Sequence, residues 1–342
     1  MSYTHVQASP LRMPPKRNFT LDIFRLIFAF GVVLVHLGPN EPNAEWLGRA
    51  FNALSVPFFV ITALYFFIRK VLSALDHSAP LFSRLHLDRL WVPYLTWTLI
   101  YLGMRVAKNH LSGHSFTPDW FRLLAYGGSG IQLYFLPFLL LCQAWALSFL
   151  LIGTRRHWLL ALPTVGAAFV YDYLGCTREY FEFGDASQYS LFYVAAAFLL
   201  IAVQRSARLR TLNFYAGCVI ATIAVVISAL DVIPASLMPF VSPIAGYAAT
   251  SAILGLPAIH LHSTRLLCIL STTYGIYLMH HALIEALEVL AQKAGVSLVP
   301  YSLGEKLVIV PIVCVICIGT IDGLRRSRRL RYLLLGEKTA AA

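Results

Sequence analysis

The segment LDIFRLIFAFGVVLVHL, residues 21–37, is apolar and long enough to cross a lipid bilayer as a helix. It also carries Asp22, Arg25 and His36. Ionisable residues are costly inside a membrane, where they usually face a cavity or a partner rather than lipid. The segment therefore predicts a membrane helix with a polar stripe, and that stripe is a candidate for a functional site.

Apolar runs of similar length recur along the whole chain, and 58% of its 342 residues are hydrophobic while only 13% are charged. A soluble domain needs a polar surface, whereas a bundle in lipid can expose apolar side chains. Backbone groups must be satisfied within lipid, so each run is expected to be helical. The predicted fold class is all-α, a polytopic transmembrane bundle of about ten helices. The predicted spans are residues 21–37, 50–68, 90–106, 131–152, 158–174, 189–203, 212–230, 236–257, 266–290 and 307–324.

The basic residues are unevenly divided between the two sides of such a bundle, with 20 of the 27 Lys and Arg residues on the side of the N-terminal tail. This bias predicts that both termini are cytoplasmic. The chain then divides into an N-terminal tail (1–19), a membrane domain (20–324) and a basic C-terminal tail (325–342). The formal net charge of +11 comes from short clusters between apolar runs, which favours contact with membrane lipid and not with nucleic acid.

Arg25 and His36 lie on one face of the first helix, because eleven residues at about 100° each return to within roughly 20°. They are separated by roughly 16 Å along the axis. In a functional interpretation, His36 is a general base and Arg25 anchors an anionic or carbonyl group. In a structural interpretation, Arg25 reaches the interface and pairs with Asp22, while His36 closes the outer end of the helix.

Two further polar groups are candidates. In the ninth span Tyr277, His281 and Glu285 are spaced to share a face, and His280 points about 100° away. They form either a site or an interhelical hydrogen-bond cluster, and no third ligand suggests a metal. Before the third span, the basic group Arg84, His86 and Arg89 is either a phosphate-binding surface or an ordinary cytoplasmic anchor.

Five motifs, taken in order, resemble the acyltransferase type 3 family of membrane O-acyltransferases. They are Arg25 with His36 as R-x10-H, the second-helix start Ser55–Val60, the third-helix start Arg89–Tyr94, Leu133–Pro137, and the late segment Tyr274–His280. Three positions depart from the family pattern. His86 stands where the family has the first arginine of R-x-x-R, Tyr134 replaces a tryptophan, and Ala63 replaces a glycine.

The resemblance implies transfer of an acyl group, most commonly acetyl, from acyl-CoA to a hydroxyl of a carbohydrate or lipid-linked glycan. It implies that His36 is the catalytic base or a transient acyl carrier, with Arg25 as its partner. The donor, acetyl-CoA, is expected at Arg84, His86 and Arg89, with no bound cofactor and no metal. The expected location is a bacterial inner membrane. The sequence leaves open whether the protein forms a homo-oligomer.

A polar cluster would either contact the acceptor or hold the helices together; it consists of Tyr134, Tyr277, His280, His281 and Glu285. Two other classes of protein remain as alternatives. A secondary transporter or exporter would use Arg25, His36, His281, Glu285 and Glu288 as a substrate and proton pathway. A catalytically inactive sensor or assembly protein would explain the departures from the family motifs.

Overall fold

The computed structural model describes residues 19–76, 85, 87–111, 118–152, 157–173, 190–234 and 237–338. Within these ranges the chain is built from helices and forms no β-strand, apart from an isolated bridge between Asn40 and Tyr301. The helices are α1 (Thr20–His36), α2 (Pro42–Asp76), α3 (Asp88–Leu111), α4 (Trp120–Ala125), α5 (Phe135–Ile152), α6 (Ala161–Tyr173), α7 (Ser190–Gln204), α8 (Ala207–Ala229), α9 (Met238–Gly255), α10 (Thr264–Leu270), α11 (Thr273–Lys293), α12 (Leu303–Arg325) and α13 (Arg328–Leu335). A short 3-10 turn, His157–Leu160, precedes α6.

The all-α membrane class is confirmed. Four helices of the described chain, α2, α5, α8 and α12, are long and apolar enough to cross a membrane. A fifth span results if α10 and α11, which meet at an angle of 58°, are counted together. Each of the ten predicted spans falls on one or two of the helices, and the count of ten crossings stays a prediction.

The ninth predicted span is not the continuous helix that its apolar pattern indicated. It is broken between α10 and α11, where the hydroxyl groups of Ser271 and Thr272 donate to the carbonyls of Cys268 and Ile269 at 2.7 and 2.6 Å. Hydroxyl side chains that bond backward to backbone carbonyls compete with helix continuation. The guanidinium of Arg325 also donates to the carbonyl of Ser271 at 3.0 Å, which stabilises the break from outside.

The first helix, α1, packs between other helices of the bundle. α1 contacts α2 on one side and α11 and α12 on the other. Val33 and Leu37 are fully buried in a core shared with α11 and α12, while Phe28 packs against Phe58 of α2 with ring centroids 4.5 Å apart. The face with Arg25 and His36 is therefore directed into the bundle.

A close approach of α9 to α2 supports this core. Gly246 lies against the carbonyl of Pro57, so closely that a β-carbon at position 246 would clash with the backbone of α2. Pro57 lies inside α2, where it cannot donate a backbone hydrogen bond, and the absence of a side chain at Gly246 lets the two helices meet there.

Both ends of the described chain meet the same connection, which joins α9 to α11. The backbone amide of Phe19 donates to the carbonyl of Ile259 at 2.9 Å, and Arg325 donates to the carbonyl of Cys268 at 3.2 Å. Beyond Arg325, the predicted basic tail forms α13, which packs against α3. The two ends of the described chain therefore lie at one end of the bundle.

Candidate functional site

A cavity of about 290 Å³ lies alongside α1 and is lined by both Arg25 and His36. The predicted shared face of α1 is therefore found on one continuous space. Its apolar wall is formed by Val32, Val56 and Phe59. The cavity thus has an apolar wall and is lined by the Arg25 cation and the His36 imidazole. This arrangement suits a long ligand with one polar end and one reactive end.

Arg25 makes the contact with Asp22 that the structural interpretation predicted, and it lines the cavity as well. Its Nη1 lies 3.3 Å from Oδ1 of Asp22, and its guanidinium lies 5.3 Å from the centroid of the Phe66 ring. The Arg25 side chain is 31% exposed and that of Asp22 only 12%. Arg25 is held from two sides and has accessible surface left for a ligand.

The ring orientation of His36 leaves one nitrogen available for chemistry. Nδ1 lies 2.8 Å from the carbonyl oxygen of Val32 in the same helix. A carbonyl can only accept a hydrogen bond, so Nδ1 carries the proton. In the neutral imidazole Nε2 then has a free lone pair, which is what a general base or a nucleophile needs.

Two further histidines from α11 surround His36. The ring of His280 meets that of His36 edge-on with centroids 4.9 Å apart, and the ring of His281 lies at 5.9 Å. His280 is fully buried, its Nδ1 donates to the Ile276 carbonyl at 3.0 Å, and its Nε2 has no partner in the described part of the chain. Among the described residues, no group of three or more His, Cys, Asp or Glu side chains is placed to hold a metal ion.

The polar cluster predicted on α11 divides into two parts around His36. His281 and Glu285 form the predicted pair one turn apart, with Nε2 and Oε1 separated by 3.6 Å, and they do not line the cavity. Tyr277 and Tyr134 do line it. The tertiary structure therefore places the tyrosines on the Arg25 side of His36 and the His281–Glu285 pair outside the cavity.

Two polar atoms on residues of the cavity wall lack a hydrogen-bond partner in the part of the chain that the structure describes. Tyr277 donates a hydrogen bond to the backbone carbonyl of Gln132. The side-chain oxygen of Gln132 and the hydroxyl of Tyr274 are buried and have no partner within the described residues. Buried polar groups are nearly always satisfied in native proteins. These two atoms are therefore positions where amide or hydroxyl groups of a bound molecule would complete the hydrogen bonding.

Tyr101 is a contributor that sequence reasoning missed. Its hydroxyl donates to the Leu278 carbonyl at 2.9 Å and accepts from the backbone amide of Ala282 at 3.2 Å. Those two backbone groups are four residues apart and would bond to each other in a regular helix. The hydroxyl is thus inserted into the hydrogen-bond ladder of α11 beside His280 and His281, where such insertions bend a helix. A tyrosine within an apolar run gave no sign of this role.

Replacing Tyr101 with phenylalanine is expected to lower kcat by roughly 10- to 100-fold, because small displacements of catalytic groups have effects of that size. Without the hydroxyl, Leu278 and Ala282 can bond to each other, and the straightened helix moves His280 and His281 relative to His36. KM for a substrate bound in the cavity should stay near the wild-type value. The measurement is steady-state kinetics beside Tyr215→Phe, an exposed tyrosine of α8; an unchanged kcat would contradict the positioning role.

Lys306 is a second residue whose place was not foreseen, since it was assigned to an exposed loop. Its side chain is fully buried, and Nζ donates to the Leu34 carbonyl at 3.4 Å. Leu34 belongs to the last turn of α1, where unsatisfied carbonyls favour a cation. Lys306 therefore supports the turn that carries His36.

The predicted donor site is described only in part. Arg84 and His86 lie outside the described residues, and Arg89 is exposed in the first turn of α3. Lys70 of α2 and Arg89 are close enough for their positive charges to repel each other. Glu288, named for the transporter alternative, accepts a hydrogen bond from Tyr301 at 2.8 Å and does not line the cavity with Arg25 and His36.

Comparison with known proteins gave one match. A family model described as an acyltransferase domain matches residues 18–321, nearly the whole chain. No curated protein and no solved structure matched. The matched region contains the cavity and the three neighbouring histidines His36, His280 and His281, and it ends before α13.

Proposed function

The chain belongs to the acyltransferase domain family and is an integral membrane protein, and from this premise we propose that it transfers an acetyl group from acetyl-CoA to a hydroxyl group of a saccharide or lipid-linked glycan. The observation that carries the proposal is the cavity that joins Arg25 to His36, with Nε2 of His36 left unprotonated. An acyl thioester is a long molecule with a polar head and a reactive end, which matches this arrangement.

The proposed reaction uses His36 as the group that moves the proton. Nε2 accepts the proton of the acceptor hydroxyl, whose oxygen attacks the thioester carbonyl. The carbon–sulfur bond then breaks, an oxygen ester forms, and the imidazolium returns the proton to the CoA thiolate. In a two-step variant Nε2 itself attacks the carbonyl and carries the acyl group before the hydroxyl accepts it. Both routes are balanced without a cofactor or metal.

We assign the two sides of His36 to the two substrates. The cavity with Arg25, Gln132 and Tyr274 is proposed to hold the donor, because its unpartnered polar atoms suit the amides of a pantetheine arm. His281 and Glu285 are proposed to meet the acceptor, because a carboxylate and an imidazole are suitable hydrogen-bond partners for sugar hydroxyls.

The proposed membrane arrangement follows from the donor. Acyl-CoA is cytoplasmic, so the end of the bundle with both ends of the described chain is proposed to face the cytoplasm, as the distribution of basic residues also favours. We also propose that the chain crosses the membrane with the ten predicted spans and that the membrane is a bacterial inner membrane. A transporter is not favoured, because the family match supports acyl transfer and Glu288 lies apart from the cavity.

Transfer of radiolabelled acetyl from acetyl-CoA tests this proposal. Membranes that contain the protein are incubated with the donor, and label is measured in the polysaccharide and lipid-linked glycan fractions against membranes without the protein. We expect protein-dependent label that mild base releases, since oxygen esters are base-labile and amides are not. Absence of label with acetyl-CoA and with longer acyl-CoA donors, in correctly inserted protein, would contradict the proposal.

A further inference from the structure

The C-terminal helix α13 concentrates positive charge at the end of the bundle where both ends of the described chain lie. The basic residues of this region are Arg325, Arg326, Arg328, Arg329, Arg331 and Lys338. The segment lies beyond the part of the chain that matches the acyltransferase family model, which ends at residue 321. The family match therefore does not assign a function to this segment.

Three hydrogen bonds fix α13 beside the start of α3. The indole nitrogen of Trp97 donates to the Leu334 carbonyl at 3.0 Å. The carboxylate of Asp88 accepts from Tyr332 at 3.3 Å and from Lys338 at 2.8 Å. The hydrogen bond from Lys338 lowers the pKa of Asp88, which precedes the predicted span, so the Asp88 carboxylate is ionised at neutral pH.

The end of α13 also touches the backbone of Arg89, the described member of the predicted donor site. Gly336 closes the helix with φ of 65°, a left-handed conformation that suits glycine. A β-carbon at this position would clash with the carbonyl of Arg89. The contact brings the basic segment and Arg89 together on one surface.

The same segment reaches the edge of the cavity through Arg325. Its guanidinium bonds to the Ser271 carbonyl at 3.0 Å and to Glu337, which follows α13, at 2.6 Å. Ser271 lines the cavity. A ligand bound at α13 would therefore lie near the Ser271 wall of the cavity that His36 also lines.

The charges on α13 are not compensated by acidic partners. Asp88 and Glu337 are already paired with Lys338 and Arg325. Arg328 and Arg329 are exposed, and neither forms an ion pair in the described part of the chain. Nε of Arg331 is buried and has no hydrogen-bond partner among the described residues. Such a surface attracts an anion with several phosphate oxygens.

We propose that α13 and Arg89 bind the phosphate groups of the acyl-CoA donor beside the Ser271 wall of the cavity. The inference rests on the proposed function. It assigns binding of the donor phosphates to α13, because His86 stands where the family pattern R-x-x-R has its first arginine. Phosphate is also the head group of anionic lipids, and the exposed Leu330 and Leu333 of α13 suit a lipid surface. The test therefore distinguishes these two sources of phosphate.

The test measures binding of CoA and of phosphate-free pantetheine to the purified full chain in nanodiscs of phosphatidylcholine alone. Arg328→Gln/Arg331→Gln removes two charges and none of the hydrogen bonds that dock α13. We expect CoA affinity to fall by about tenfold or more, as expected for the loss of charge-assisted hydrogen bonds, with pantetheine binding unchanged. Lys293→Gln, which removes a charge at the other end of α11, should leave CoA binding as in wild type.

Two outcomes would overturn the inference. Equal CoA affinity of wild type and the double variant would exclude phosphate binding at α13. If, in addition, phosphatidylglycerol raises the Tm of the wild type but not of the variant, the surface binds anionic lipid. Failure of the proposed function is distinguishable, because it would leave CoA binding intact while no acyl group is transferred.

Discussion

Replacing His36 with alanine is expected to lower kcat for acyl transfer by roughly 10²- to 10⁴-fold, the usual contribution of a positioned general base. Among the described residues, the His36 side chain forms a hydrogen bond only with a backbone carbonyl of its own helix, that of Val32. Its removal should therefore leave the amount of inserted, folded protein unchanged. The measurement is the labelled-acetyl assay in membranes matched for protein content.

A matched histidine provides the control for this result. His262 is exposed in the connection between α9 and α10, and His262→Ala should retain wild-type activity. Near wild-type transfer by the His36→Ala protein would show that the reaction does not depend on this imidazole. Mass spectrometry of peptides that contain residue 36, after incubation with donor alone, separates the two routes, since only the two-step route leaves an acyl group on His36.

Replacing Arg25 with glutamine should raise KM for acetyl-CoA by roughly 10- to 100-fold and change kcat less. Loss of a charged hydrogen bond costs roughly 1.5–3 kcal/mol, which corresponds to that range. Arg25 is separated from His36 by roughly 16 Å along α1, so it cannot act on the same reacting atoms. A group that binds a remote part of the donor affects KM first. Steady-state kinetics at varied acetyl-CoA measure this.

The contact between Arg25 and Asp22 calls for a second variant, because removing one member of a half-buried ion pair can destabilise the fold by itself. Asp22→Asn/Arg25→Gln removes the pair as a unit and should recover Tm while KM stays high. A return of KM to the wild-type value in the double variant would mean that Arg25 serves only to neutralise Asp22. Arg210→Gln, an exposed arginine of α8, is the charge-matched control.

The match between interpretation and structure is closest for α1. The polar face with Arg25 and His36 was predictable because it follows from the geometry of one helix. The pairing of Asp22 with Arg25 and of His281 with Glu285 was predictable for the same reason, since each pair is one turn apart. Arg25 bonds to Asp22, as the structural interpretation predicted, and it also lines the cavity. Its role as an anchor for an anionic group stays a prediction.

The spacing along α11 predicted which residues share a face, and it left open what lies beside the helix. Tyr277, His281 and Glu285 were expected on one face, yet only Tyr277 reaches the cavity. His280, which was expected to point away from that face, packs against His36. Spacing along a helix shows which residues share a direction, and it cannot show which neighbouring helix lies in that direction.

The sequence by itself determined that the protein lies in a membrane as a helical bundle and that Arg25 and His36 share a face. These properties depend on local hydrophobicity and on the period of a single helix. Only the tertiary structure decided that the helix breaks at Ser271, that the Tyr101 hydroxyl enters the ladder of α11, and that α13 lies against Arg89. The contacts of Tyr101, of α13 and of Arg325 at the helix break join residues far apart in the chain, and a pattern read along one helix does not show which other helix packs beside it.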